Sequence, residues 1–62
     1  MDSGLKAAIK AAGGTYKLGP LLGISRQAIE HWHRVPAERV VEVERATGID
    51  RTVLRPDLYE RA

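Results

Sequence analysis

What most constrains this chain is its punctuation. Gly13-Gly14, Gly19-Pro20, Gly23, Pro36, Gly48 and Pro56 interrupt it at short intervals, and the segments between them carry apolar residues at helical rather than alternating spacing. A strand would need a period of two, and no segment is long enough for one extended helix. The expected fold is therefore all-α, a compact bundle of four to five short helices.

Each segment has its own start and stop signals. Helix one begins at Asp2 or Ser3, either a competent N-cap, and stops at Gly13-Gly14. Leu5, Ala8, Ile9 and Ala12 make one apolar stripe along it, with Lys6 and Lys10 on another face. Thr15 is expected to cap a second helix through Leu22, closed by Gly23. Pro20 inside it lacks the N–H that would bond back to Tyr16, so a loosened or 3₁₀-like start is expected. Ser25 caps helix three, Arg26 to about His33, and a very short link leads to helix four. Pro36 fits the first position of that helix, which runs to Thr47 and ends at Gly48, burying Ala37, Val40, Val41 and Val43. Glu38, Arg39, Glu42 and Arg45 form its wet side, with Arg39–Glu42 and Glu42–Arg45 at pairing distance. Asp50 can cap a last short helix through Leu54, and Pro56 disfavours helical geometry at Arg55.

The length of 62 residues suits one domain, 1–62, whose stability should be about 3–9 kcal/mol. With no cysteine, disulfide staples and cysteine-ligated metal sites are excluded. The longest purely apolar runs are too short for a signal peptide or a membrane span, so a soluble, cytoplasmic domain is expected. The net charge of +2 is small, but it is unevenly placed. Residues 1–34 hold five cations against two acids, whereas residues 35–62 hold five arginines against six acids. A basic first half suits a surface facing phosphates; an ordinary solvated face of mixed charge fits equally.

The stretch from Thr15 to Trp32 narrows the choice further. Two helices crossing around a short glycine-containing turn form a helix-turn-helix, which needs a tiny residue where the helices touch. Gly19 is that residue and Gly23 makes the turn, while Leu18, Leu22, Ile24, Ile29 and Trp32 fall at the apolar offsets. The helix-turn-helix is thus expected at 15–34, with Ser25 to Arg34 as its recognition helix. Such a helix lies in the major groove with its N-terminal residues against base edges. Arg26, Gln27, Glu30 and His31 are then the candidate base contacts. Gln27 can give adenine a two-pronged hydrogen bond, and Arg26 can do the same to guanine or hold a phosphate. Glu30 can accept from a cytosine amine or pair with Arg34 at i+4. Thr15, Tyr16, Lys17 and Ser25, at helix starts, and Arg34, at the far end of helix three, are candidate phosphate contacts.

Beyond that pattern, Gly23-Ile24-Ser25-Arg26-Gln27-Ala28-Ile29, then Trp32, Val35-Pro36-Ala37-Glu38-Arg39-Val40, Glu44-Arg45-Ala46-Thr47-Gly48 and Leu54-Arg55-Pro56-Asp57-Leu58-Tyr59 resemble the Cro-like and YdaS-like prophage regulators. These are bacterial members of the lambda-repressor-like helix-turn-helix superfamily. The resemblance runs from about Leu5 to Tyr59. It implies a transcriptional repressor, or an antitoxin-like regulator, that binds operator DNA.

Other functions fit less well. His31 and His33, two apart on a helix, would point about 200° apart, so no metal is expected. No serine–histidine–acid set, cysteine nucleophile or phosphate-cradling loop is present, so neither an enzyme nor a cofactor site is expected. Val53, Leu54, Leu58 and Tyr59 are more apolar side chains than a short tail easily hides, which suggests a homodimer on a pseudo-palindromic operator. The competing reading is an antitoxin-like module that docks on a partner protein, such as a toxin. A docking helix should expose an apolar patch, whereas the outer face of helix three is polar.

Overall fold

The computed structural model describes residues 1–59; the last positions of the expected 1–62 domain, 60–62, lie outside them. Among the described residues the chain forms five α-helices and one 3₁₀ turn, and no strand. The helices are α1 (Ser3–Ala12), α2 (Thr15–Leu22), α3 (Arg26–Glu30), α4 (Val40–Thr47) and α5 (Arg51–Leu54), with the 3₁₀ turn at Ala37–Arg39. The all-helical class is thus as expected. No helix among the described residues is long and apolar enough to cross a membrane.

The expected caps largely hold. Asp2 accepts from the Leu5 N–H at 2.9 Å, Ser25 from Ala28 at 3.2 Å and Asp50 from Thr52 at 2.7 Å. Each satisfies one of the N–H groups that a helix start leaves without an intrahelical partner. Thr15 departs from expectation: Gly14 takes the cap position and Thr15 is the first helical residue. The N–H groups of Lys17 and Leu18 both reach the Gly14 carbonyl, at 3.1 and 3.0 Å. The first of these is a 3₁₀-type bond, which matches the 3₁₀-like start expected.

Helix three is shorter than expected. It ends at Glu30, with His31 as its C-cap, and the Trp32 N–H closes the last turn on the Ile29 carbonyl at 2.9 Å. The chain then leaves the helix so that Val35 can enter the core, where it is fully buried. Pro36 favours this extended geometry at Val35. The His33 carbonyl meanwhile accepts from the Asp2 N–H at 2.8 Å, tying the break to the start of α1. The link to helix four is consequently longer than expected. Pro36 caps the 3₁₀ turn rather than opening an α-helix, and Ala37 is exposed, not buried. Helix α4 proper starts only at Val40; Val40 and Val43 are its buried residues, and Val41 is half-buried.

One core joins these pieces. Leu5 and Ala8 of α1, Leu18 and Leu22 of α2, Ile29 of α3, Val35, Val40 and Val43, and Leu54 of α5 are buried together. Ile24, Trp32 and Tyr59 pack against it while partly exposed. Gly4 lets α1 approach α5 closely: a Cβ there would lie 2.6 Å from the carbonyl oxygens of both Val53 and Leu54. The fully buried Leu54 corrects the expectation that it joins an apolar dimer surface, because its side chain is consumed by this chain's own core. Tyr59 is half-buried, its ring 5.5 Å from the Arg51 guanidinium. Of that expected surface, Val53 and Leu58 are the exposed members, each with about half its area open (48%).

Candidate nucleic-acid interface

The candidate surface is built by α2 and α3, and the approach of these helices begins with one missing side chain. A Cβ on Gly19 would meet the Ile24 carbonyl oxygen at 2.7 Å and the Arg26 nitrogen at 3.2 Å, both backbone atoms. A residue with a side chain would push the turn and the start of α3 away from α2. The turn is held by paired backbone bonds, Ile24 N–H to the Gly19 carbonyl at 3.0 Å and Gly23 N–H to the Pro20 carbonyl at 3.2 Å. Gly23 sits at φ 72°, the left-handed geometry that this helix ending requires.

Packing then sorts the side chains. Ile29 is fully buried and Ala28 half-buried, which turns Arg26, Gln27 and Glu30 of α3 to solvent. His31 is exposed just past the helix end, and Ser25 is exposed at its start. On α2, Lys17 and Tyr16 are exposed, with the Lys17 ammonium 6.0 Å from the Tyr16 ring. The four candidate base contacts therefore share one exposed stretch, with Lys17 and Tyr16 exposed on the helix that precedes it.

Two candidates are placed differently from the sequence expectation. Thr15 is half-buried, and its hydroxyl donates to the Glu30 carboxylate at 3.3 Å, linking the first residue of α2 to the last of α3. Arg34 lies beyond the end of α3, and its guanidinium stands 4.0 Å from Asp57 rather than against Glu30. The i+4 pairing of Glu30 with Arg34 is lost because the helix that would align them stops at Glu30.

Beyond the end of α3 lies a clamp the sequence reading missed. Arg55 donates to the Val35 carbonyl at 2.9 Å and grips Asp57 with two bonds, at 2.9 and 2.7 Å. Its side chain is only 11% exposed. The pair fixes the tail against the segment that follows α3, and the Arg55 guanidinium lowers the Asp57 carboxyl to a pKa of about 2. The available signal was the Arg55-Pro56-Asp57 spacing, in which proline bends the chain enough for the arginine to reach forward two residues. A second pair, Glu44 with Arg51 at 2.8 Å, joins α4 to α5 and holds the Glu44 carboxyl below its ordinary pKa. Of the pairs expected on helix four, Arg39–Glu42 forms at 3.2 Å.

No group of three or more histidine, aspartate or glutamate side chains comes together among the described residues. Comparison with protein families matches residues 5–62 to the family described as bacterial toxin YdaS. The chain belongs to the YdaS family. Nearly the whole sequence carries the match, so the α2–α3 surface and the Arg55–Asp57 clamp both lie inside the YdaS region. No curated protein and no solved structure matches the chain.

Proposed function

We propose that this YdaS-family chain is a sequence-specific DNA-binding regulator of prophage genes. In this reading α2 and α3 are a helix-turn-helix of the lambda-repressor-like kind, and α3 lies in the major groove as a Cro-like repressor's would. The observation that carries the proposal is the tight seating of α2 on α3 through Gly19, which buries Ile29 and leaves Arg26, Gln27, Glu30 and His31 outward. An exposed row of polar side chains on a firmly seated short helix is what base reading requires. Gln27 suits adenine and Arg26 suits guanine, each discriminating by about 1–3 kcal/mol when bidentate. Lys17, Tyr16, Ser25 and Arg34 serve as backbone contacts. The domain acts by binding, without catalysis or cofactor, and as a homodimer on DNA through a face that includes Val53 and Leu58.

The test is selection of binding sites from a randomised duplex library at fixed salt, with Gln27→Ala run beside the parent. A palindromic motif whose preference relaxes at one position in the variant is the expected result. No motif, with only weak salt-sensitive binding, would overturn the proposal.

A protein-docking reading has its own support. Tyr16 and Leu21 of α2 are largely exposed (60% and 57%), and the family's description as a toxin suits a toxin–antitoxin context. Salt separates the readings: phosphate contacts make DNA affinity fall steeply with ionic strength, whereas apolar docking does not.

A further inference from the structure

The hydrogen bond between Thr15 and Glu30 assigns Thr15 a different part from the phosphate contact expected of it. Glu30 is exposed, yet no lysine or arginine among the described residues forms an ion pair with it. Arg34 has left the helix and faces Asp57. The partner Glu30 does have is the Thr15 hydroxyl, which engages one carboxylate oxygen, Oε2. The other oxygen is left to accept from outside. Thr15 is half-buried, and as a β-branched residue in a helix it has two favoured rotamers; the one it adopts places its hydroxyl on Glu30.

An ionised carboxylate only accepts hydrogen bonds, and DNA phosphates repel it. In the major groove the bases donate through the amino groups of cytosine and adenine alone. Adenine sets its N7 acceptor beside that amino group, which would face the carboxylate unfavourably. Cytosine has no acceptor on that edge. We infer that Thr15 is a positioning residue, whose hydroxyl holds the Glu30 carboxylate so that Glu30 selects cytosine at one position of the bound site.

This inference rests on the DNA-reading proposal and is tested in the same selection, with Glu30→Ala, Thr15→Val and Thr15→Ser added. The parent motif should contain a position favouring cytosine, and Glu30→Ala should abolish that preference. Thr15→Val should reduce it roughly three- to tenfold, the worth of one hydrogen bond. The remaining positions and the salt dependence of affinity should not move. Thr15→Ser, which keeps the hydroxyl, should retain the preference, and Thr15→Val should have no further effect once Glu30 is alanine. A Thr15→Val variant that binds every sequence more weakly, with a shallower salt dependence, would make Thr15 a phosphate contact and overturn the inference. So would a parent motif in which no position responds to Glu30→Ala, a result that leaves DNA reading intact. A parent that selects no motif overturns both.

Discussion

Gly19→Ala sets two effects of opposite sign against each other, and the structure decides between them. Alanine in a helix interior is favoured over glycine by about 1 kcal/mol, so propensity alone predicts a more stable protein. The added methyl, however, would sit 2.7 Å from the Ile24 carbonyl oxygen and 3.3 Å from the Ser25 carbonyl carbon, inside the 3.4 Å at which ordinary contact begins. Both neighbours are backbone, so no flexible side chain can swing away. The turn that carries them is pinned by the Ile24–Gly19 and Gly23–Pro20 bonds and by the Ser25 cap. Overpacking of this kind costs about 1–3 kcal/mol, and a rigid backbone neighbour puts Gly19 toward the upper end. The net expectation is a loss of about 1–2 kcal/mol. For a domain this small that lowers the thermal midpoint by roughly 5–15 °C. Melting followed by far-ultraviolet circular dichroism measures it directly. A variant as stable as the parent, or more so, would refute the tight seating of α2 on α3. Gly4→Ala, whose methyl would meet the Val53 and Leu54 carbonyl oxygens at 2.6 Å, should be destabilised likewise.

Pro20 is exposed and cannot bond to the Tyr16 carbonyl, so Pro20→Ala should stabilise the domain by about 1 kcal/mol or more, read as a higher urea midpoint. A lower midpoint would mean the proline is needed where it stands. Ser25→Ala removes the α3 cap and should cost about 1 kcal/mol, with Ser25→Asn restoring most of it in the same unfolding assay. Stability should also depend on acid. The folded pKa values of Asp57 and Glu44 lie below their unfolded ones, so their contributions are present above the ordinary carboxylate pKa. They are lost as pH falls through the folded value, about 2 for Asp57. The thermal midpoint should drop as pH falls from about 4 toward 2. Asp57→Asn should flatten part of that drop; an unchanged pH profile in this variant would show the Arg55 clamp to be inconsequential.

Local signals were legible wherever one residue settles a local question. Asp2, Ser25 and Asp50 cap because their side chains reach an N–H two or three residues away. Ile29 and Trp32 were readable as inward-facing residues, although Trp32 reaches the core from beyond the helix rather than on it. Arg26 and Gln27 were readable as outward-facing for the same reason of spacing. The failures concern competition between distant parts. Helical periodicity carries α3 to His33, but burying Val35 requires the chain to turn earlier. That early turn strands Arg34, frees Glu30 for Thr15 and puts Asp57 within reach of Arg34.

Local residue patterns were enough to specify an all-helical chain, most of the ends of its helices, and the glycine at which α2 and α3 could meet. These depend on backbone geometry and on hydrogen bonds within a few residues, which local composition specifies. Tertiary structure alone decided that Leu54 belongs to the core, that Arg55 clamps Asp57 to the Val35 carbonyl, and that Thr15 holds Glu30. Each of these depends on which surfaces a small core can cover, and that is settled only when all five helices pack together.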